Sequence, residues 1–240
     1  MDALATNIEA RVNAIDWHAV EEELDGFGCA TVGHLLTPAE CDALRALYAR
    51  DALYRSRVVM ARHGFGRGEY KYFAYPLPDP VADLRAGLYG PLAEIGNRWN
   101  AALGLAPRYP AAHEDFLGVC RDAGQTRPTP LILRYGAGDY NRLHQDLYGE
   151  HVFPLQVAIL LSSPGEDFTG GELVLTEQRA RMQSRPEVVP LRQGDGVVFA
   201  VHHRPVEGPR GVSRAVMRHG VSRLRSGERL TLGIIFHDAA

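Results

Sequence analysis

His144 and Asp146 stand one residue apart in Arg134-Tyr-Gly-Ala-Gly-Asp-Tyr-Asn-Arg-Leu-His-Gln-Asp146. In an extended segment, residues i and i+2 project from the same face, so imidazole and carboxylate can converge on one point. A third candidate ligand is His219, which precedes Arg229 by ten positions and the apolar run Leu230 to Phe236. Two histidines and one carboxylate on a facial triangle suit Fe(II) with coordination positions left open, whereas thiolates would point to zinc or an iron–sulfur cluster. Cys29, Cys41 and Cys120 lie away from these motifs, are odd in number and lack metal spacing, so they read as free thiols.

Arg229 and Thr231 share one strand face while Leu230 and Leu232 point away. A guanidinium fork pairs bidentately with a carboxylate and stays charged when buried, which fits a pocket for a dicarboxylate. Tyr135 is either a second contact to that ligand or a strand aromatic filling the core. His202 and His203 compete with His219 as the third ligand, but no arginine-led apolar strand follows them at the same distance. In His237-Asp238 the neighbours face opposite sides, and the pair reads as a solvated strand end.

These elements together resemble the Fe(II)/2-oxoglutarate dioxygenase superfamily. The resemblance rests on His144-x-Asp146, His219, Arg229-x-Thr231, the Tyr135-x-x-Gly138 lead-in, Phe168-Thr-Gly-Gly-Glu-Leu173 and Gly194-Asp-Gly-Val-Val-Phe199. It implies Fe(II) on His144, Asp146 and His219, 2-oxoglutarate as co-substrate on Arg229, Thr231 and Tyr135, and O2 as oxidant. The implied reaction is C–H hydroxylation with release of succinate and CO2. The whole chain also resembles a bacterial group described as acting on alkylation-damaged DNA, which implies oxidative demethylation of nucleic-acid bases. A protein hydroxylase of prolyl type, a small-molecule hydroxylase and a non-catalytic metal-binding jelly roll are the other readings. About twenty residues separate Phe199 from His219, more than that motif usually has, so Val201 to Arg218 reads as an insert at the substrate entrance.

Residue usage adds a substrate question. Lys71 is the one lysine among 26 basic residues, and the net charge of −3 gives no global attraction to nucleic acid. Locally, Arg204, Arg210, Arg214 and Arg218 in the insert precede His219, and Arg223 and Arg225 follow it, a cluster that either binds phosphates or forms a solvated rim. Tyr70, Lys71 and Tyr72 lie in a strand or hairpin from Tyr54 to Phe73, read as a substrate lid or a packed edge.

The elements that must position these groups divide the chain. Residues 1–130 read as helical support and lid, and residues 131–240 as the catalytic core, within one domain. Thr37-Pro-Ala-Glu40 is a capping box that starts a helix. Val81, Leu84, Leu88, Leu92, Ile95, Trp99 and Leu103 keep helical spacing, which Gly90-Pro91 is expected to split into two helices. From Leu131 on, seven short apolar runs separated by Gly and Pro predict strands at 131–135, 153–161, 172–175, 188–191, 196–201, 216–224 and 230–237. The fold class is therefore mainly β with helices, a double-stranded β-helix (jelly roll) buttressed by amino-terminal helices. No apolar run is long enough to span a bilayer and no signal core opens the chain, so a cytoplasmic enzyme without membrane contact is expected.

Overall fold

A computed structural model describes residues 7–106, 108–209 and 211–240. The first half carries α1 (Ile8–Asn13), α2 (Trp17–Phe27), β1 (Cys29–Val32), α3 (Pro38–Leu47), β2 (Tyr54–Val59), β3 (Gly66–Arg67), β4 (Glu69–Phe73), α4 (Asp79–Ala102) and α5 (His113–Asp122). The second half adds β5 (Leu131–Gly136), β6 (Tyr140–His144), β7 (Leu155–Leu160), β8 (Phe168–Gly170), β9 (Leu173–Gln178), β10 (Arg185–Val189), β11 (Gly196–Ala200), β12 (His203–Gly208), β13 (Gly211–Val221) and β14 (Leu224–Ile234).

Two antiparallel sheets result. The larger runs β1-β11-β7-β14-β5-β4-β2 with β8 on β14, and the smaller runs β10-β9-β13-β6-β3 with β12 on β13. The expected jelly roll is present, and strands of the amino-terminal half extend both sheets. No helix is long and apolar enough to cross a membrane among the described residues.

Local sequence explains the supports. Thr37 accepts from the Glu40 backbone while Glu40 bonds back to the Thr37 N–H, so α3 starts on a complete capping box. The predicted break at Gly90-Pro91 does not occur, and α4 is one helix with Pro91 inside it. Its buried stripe of Leu84, Leu88, Leu92, Ile95 and Trp99 joins the core that includes Leu230, Leu232 and Ile234. Each such fully buried side chain contributes about 1.5–3 kcal/mol, so together they outweigh the roughly 3 kcal/mol cost of an interior proline.

The carboxyl-terminal expectation fails in an informative way. His237 and Asp238 are buried at 0% and 2% exposure instead of solvated. Asp238 pairs with the buried Arg85 at 2.7 Å and accepts from the Tyr75 hydroxyl at 2.9 Å. A charge pattern cannot reveal that a partner 150 residues away will neutralise it.

Candidate metal and oxoglutarate site

Period-two alternation on β14 turns Arg229, Thr231 and Gly233 towards the space between the sheets, while Leu230, Leu232 and Ile234 pack outward. On β6 and β13 the register sets His219 directly opposite His144. A bulge interrupts that pairing before Val221. Gly220 permits the approach, because a Cβ there would sit 2.7 Å from the Asn141 carbonyl oxygen. Asp146 follows just beyond the end of β6 and completes the group: one ligand atom from each of His144, Asp146 and His219 lies within 4.8 Å of the others. His202 and His203 lie outside this group, their rings tilted against each other with centroids 3.4 Å apart.

The donor set fits a divalent metal. His144 Nδ1 contacts the Arg142 carbonyl at 2.7 Å, so this nitrogen carries the proton and Nε2 keeps its lone pair for a ligand. Asp146 has Oδ1 at 3.4 Å from His144 Nε2 and Oδ2 at 3.3 Å from His219 Nε2. Burial alone would raise the Asp146 pKa, but the two imidazoles facing it, when protonated, hold it well below the carboxylate range. Burial opposes protonation of His144 too, yet the bond to Asp146 and its charge raise that pKa. His219 goes the other way, lowered by desolvation.

Two residues that sequence reading missed hold this carboxylate. The Tyr148 hydroxyl donates to Asp146 Oδ1 at 2.6 Å, and Gln156 Nε2 donates to Oδ2 at 3.0 Å. Tyr148 lies two positions beyond Asp146, and that spacing was the available signal. Gln156, a polar residue inside an otherwise apolar strand, was the second available signal.

The cavity between the sheets has a volume of about 220 Å³ and runs from Phe65, Tyr70 and Tyr72 past the triad to Tyr135, Arg229 and Thr231. Arg229 is 3% exposed, bonds only Thr231 Oγ1 at 2.6 Å, and has no carboxylate partner among the described residues. Burial lowers its pKa to about 10, still protonated at neutral pH. Tyr135 is fully buried with its hydroxyl unpartnered; burial raises its pKa, with Arg229 and then Asn141 pulling the other way. A buried cation and an unpaired hydroxyl in one pocket fit a dicarboxylate such as 2-oxoglutarate.

Other predicted site residues separate. Tyr70 and Tyr72 line the cavity, but Lys71 faces the opposite side of β4, bonded to the Tyr48 carbonyl at 2.8 Å and to Asp51 at 2.6 Å. Alternation along the strand requires that split. Arg204 is not a phosphate contact: it is 1% exposed, bonds Glu177 through Nε at 2.7 Å, and donates to the Asp25 and Gly26 carbonyls at the end of α2. Helix carbonyls and a buried acid attract it inward, which the arginine count could not foretell. Arg214 is exposed on β13, and Arg210 lies outside the described residues. The insert forms the β12–β13 hairpin, and none of its described residues lines the cavity.

The two sheets and the His144, Asp146 and His219 cluster fit an Fe(II)/2-oxoglutarate oxygenase, and a family match assigns the chain to the oxygenases. A family model described as "Oxygenase, catalysing oxidative methylation of damaged DNA" matches residues 68–239, and the chain belongs to that family. An uncharacterised protein of Mycobacterium tuberculosis is 48% identical over 197 residues, covering 80% of this chain and 84% of that one. Among solved structures, an oxidoreductase of the 2OG-Fe(II) oxygenase family from Burkholderia pseudomallei aligns with TM-score 0.58 at 17% identity, over 95% of each chain. A prolyl hydroxylase from Trichoplax adhaerens, in complex with a hypoxia inducible factor peptide fragment, gives 0.57 at 13% identity over 96% of this chain and 92% of that one. At such identities the likeness speaks for the fold.

Proposed function

We propose that the chain hydroxylates an N-alkyl carbon on a damaged nucleic-acid base, so that the base is freed of its alkyl group. The observation that carries the oxygenase part is the buried, carboxylate-free Arg229 in the same cavity as His144, Asp146 and His219. The family description supports the substrate class.

When bound, Fe(II), 2-oxoglutarate and O2 supply C–H hydroxylation coupled to formation of succinate and CO2. The chain supplies the geometry. His144 Nε2, an Asp146 oxygen and His219 Nε2 would hold the metal, with Tyr148 and Gln156 fixing the carboxylate from its two sides. Arg229, Thr231 and the Tyr135 hydroxyl would fix the far carboxylate of the co-substrate. The apolar walls Leu131, Leu133 and Val221 exclude water, which strengthens each of these charge interactions. Tyr70 and Tyr72, perpendicular to each other with ring centroids 5.3 Å apart, border the space where a planar substrate would enter. On an N-methyl group the hydroxymethyl product loses formaldehyde as its C–N bond breaks, and the hydroxyl proton passes to the freed nitrogen or to solvent.

The test is product analysis. Anaerobically prepared protein with Fe(II) and 2-oxoglutarate is exposed to O2 with methylated single-stranded DNA and RNA, and succinate, formaldehyde and the repaired base are measured by mass spectrometry. Stoichiometric formaldehyde and repaired base are expected. Succinate formation stimulated by a peptide or small-molecule pool and not by any alkylated nucleic acid would overturn the substrate class while leaving the oxygenase intact.

A further inference from the structure

We infer that the loop between β2 and β4 is the surface that grips the substrate strand, with Phe65 as a stacking platform and Arg62, Arg67 and Arg142 as phosphate contacts. This rests on the reading of the substrate as an alkylated base in a single strand.

Phe65 lines the cavity and is yet 47% exposed, an aromatic ring held at the mouth with one side in water. A single exposed apolar residue is ordinary, but Phe65 is also part of the cavity lining, so it stands where a substrate would enter. The ring is held in place by backbone. Phe65 N donates to the Met60 carbonyl at 3.2 Å, Arg142 N donates to the Phe65 carbonyl at 2.9 Å, and Gly66 and Arg67 pair in register with Asn141 and Tyr140. His63 stacks on Phe65 at 5.3 Å and 24°, making a two-ring plate.

Charge selects the occupant. Residues 54–68 contain five basic or imidazole side chains, Arg55, Arg57, Arg62, His63 and Arg67, and no acid, in a chain of net charge −3. Arg62, Arg67 and Arg142 are exposed, and none has a carboxylate partner among the described residues; Arg142 reaches only the Gly64 carbonyl, at 3.1 Å. Unpaired guanidinium groups beside an aromatic plate match a phosphodiester chain with its bases, where an acidic peptide would leave the plate unused. A base that enters the cavity has left its stack, and its neighbour needs a ring to replace the lost contact. Phe65 sits at that step. The mouth, not the β12–β13 hairpin, is then where the strand lies.

The experiment measures fluorescence anisotropy of a fluorescein-labelled single-stranded DNA of about 15 nucleotides, near the site size of one strand-binding module, on the full chain loaded anaerobically with Fe(II) and 2-oxoglutarate. Phe65→Ala should weaken binding on the order of 10-fold at every salt concentration without changing the salt slope. Arg62→Ala with Arg67→Ala should flatten the slope of log K against log salt by up to about 1.4, at roughly 0.7 per phosphate. Arg214→Ala serves as the comparison and should leave the slope unchanged. If the wild type binds and both loop variants bind as it does, the strand is gripped elsewhere and the substrate reading stands. If the wild type binds no single- or double-stranded nucleic acid, the substrate reading falls and takes this surface with it.

Discussion

The Tyr148 hydroxyl donates a 2.6 Å hydrogen bond to Oδ1 of Asp146, two residues before it, while Gln156 Nε2 holds Oδ2 at 3.0 Å. The short distance is that of a charge-assisted O–H···O⁻ bond. Burial and the neighbouring carboxylate raise the Tyr148 pKa, so the phenol stays a donor. Tyr148→Phe should weaken Fe(II) binding roughly 10- to 100-fold, and Gln156→Leu by a comparable factor, because a carboxylate free to rotate is a poorer ligand. Anaerobic equilibrium dialysis gives the answer, and unchanged affinity in both variants would show that the histidines alone fix the site.

Arg229 supplies the clearest ligand test. Arg229→Ala should weaken 2-oxoglutarate by roughly 2–5 kcal/mol, and Arg229→Lys should recover part of it, lacking the planar fork. Iron affinity should be kept in both. Tyr135→Phe separates ligand from scaffold: its buried hydroxyl has Asn141 near it but makes no close hydrogen bond, so stability should change little while oxoglutarate affinity falls by about 1 kcal/mol. Calorimetric titration and urea unfolding of the same samples provide both readings. A variant losing stability and not affinity would make Tyr135 a core residue.

Much of this site was legible because ligand spacing and strand period are local properties. His144 and Asp146 at i and i+2, and Arg229 and Thr231 on one face of an apolar strand, needed only alternation to be placed. Tyr70 and Tyr72 follow the same rule, which also expels Lys71 to Asp51. What sequence could not supply were long-range partners. Arg204 looked like part of a basic cluster until Glu177 and the α2 carbonyls drew it inside. Pro91 looked like a helix end until tertiary burial overrode it. Phe65 and Arg142 became neighbours only through the pairing of β3 with β6.

The buried charge cluster makes its own prediction. Glu177, with its side chain 4% exposed, ion-pairs with Arg204 and accepts from Arg179 Nε at 2.7 Å. Glu177→Ala leaves Arg204 buried without a counter-charge, at a cost of about 3–5 kcal/mol. Urea denaturation should record that loss. Replacing Arg204 should likewise reduce stability and leave the salt slope of strand binding alone; the reverse pattern would return Arg204 to the substrate surface.

Acid sensitivity should come partly from His237. Its Nδ1 accepts from the Phe153 N–H at 3.2 Å, so Nε2 carries the proton, buried and unpartnered. Burial, with Arg85 adding to it, lowers its pKa to about 4, against the opposing pull of Asp146 and Asp238. A folded pKa below the unfolded value near 6.5 means that the unfolded chain binds the proton more readily. Stability from the neutral ring is complete above about pH 6.5 and is lost as pH falls towards 4, roughly 2 kcal/mol of it by pH 5. His144 titrates in the opposite sense, so the measurement is a difference: unfolding free energies of wild type and His237→Gln, whose amide oxygen can still accept from Phe153. The wild-type advantage should shrink by roughly 2 kcal/mol between pH 7 and 5. A constant difference across that range would mean His237 is not held neutral by its surroundings.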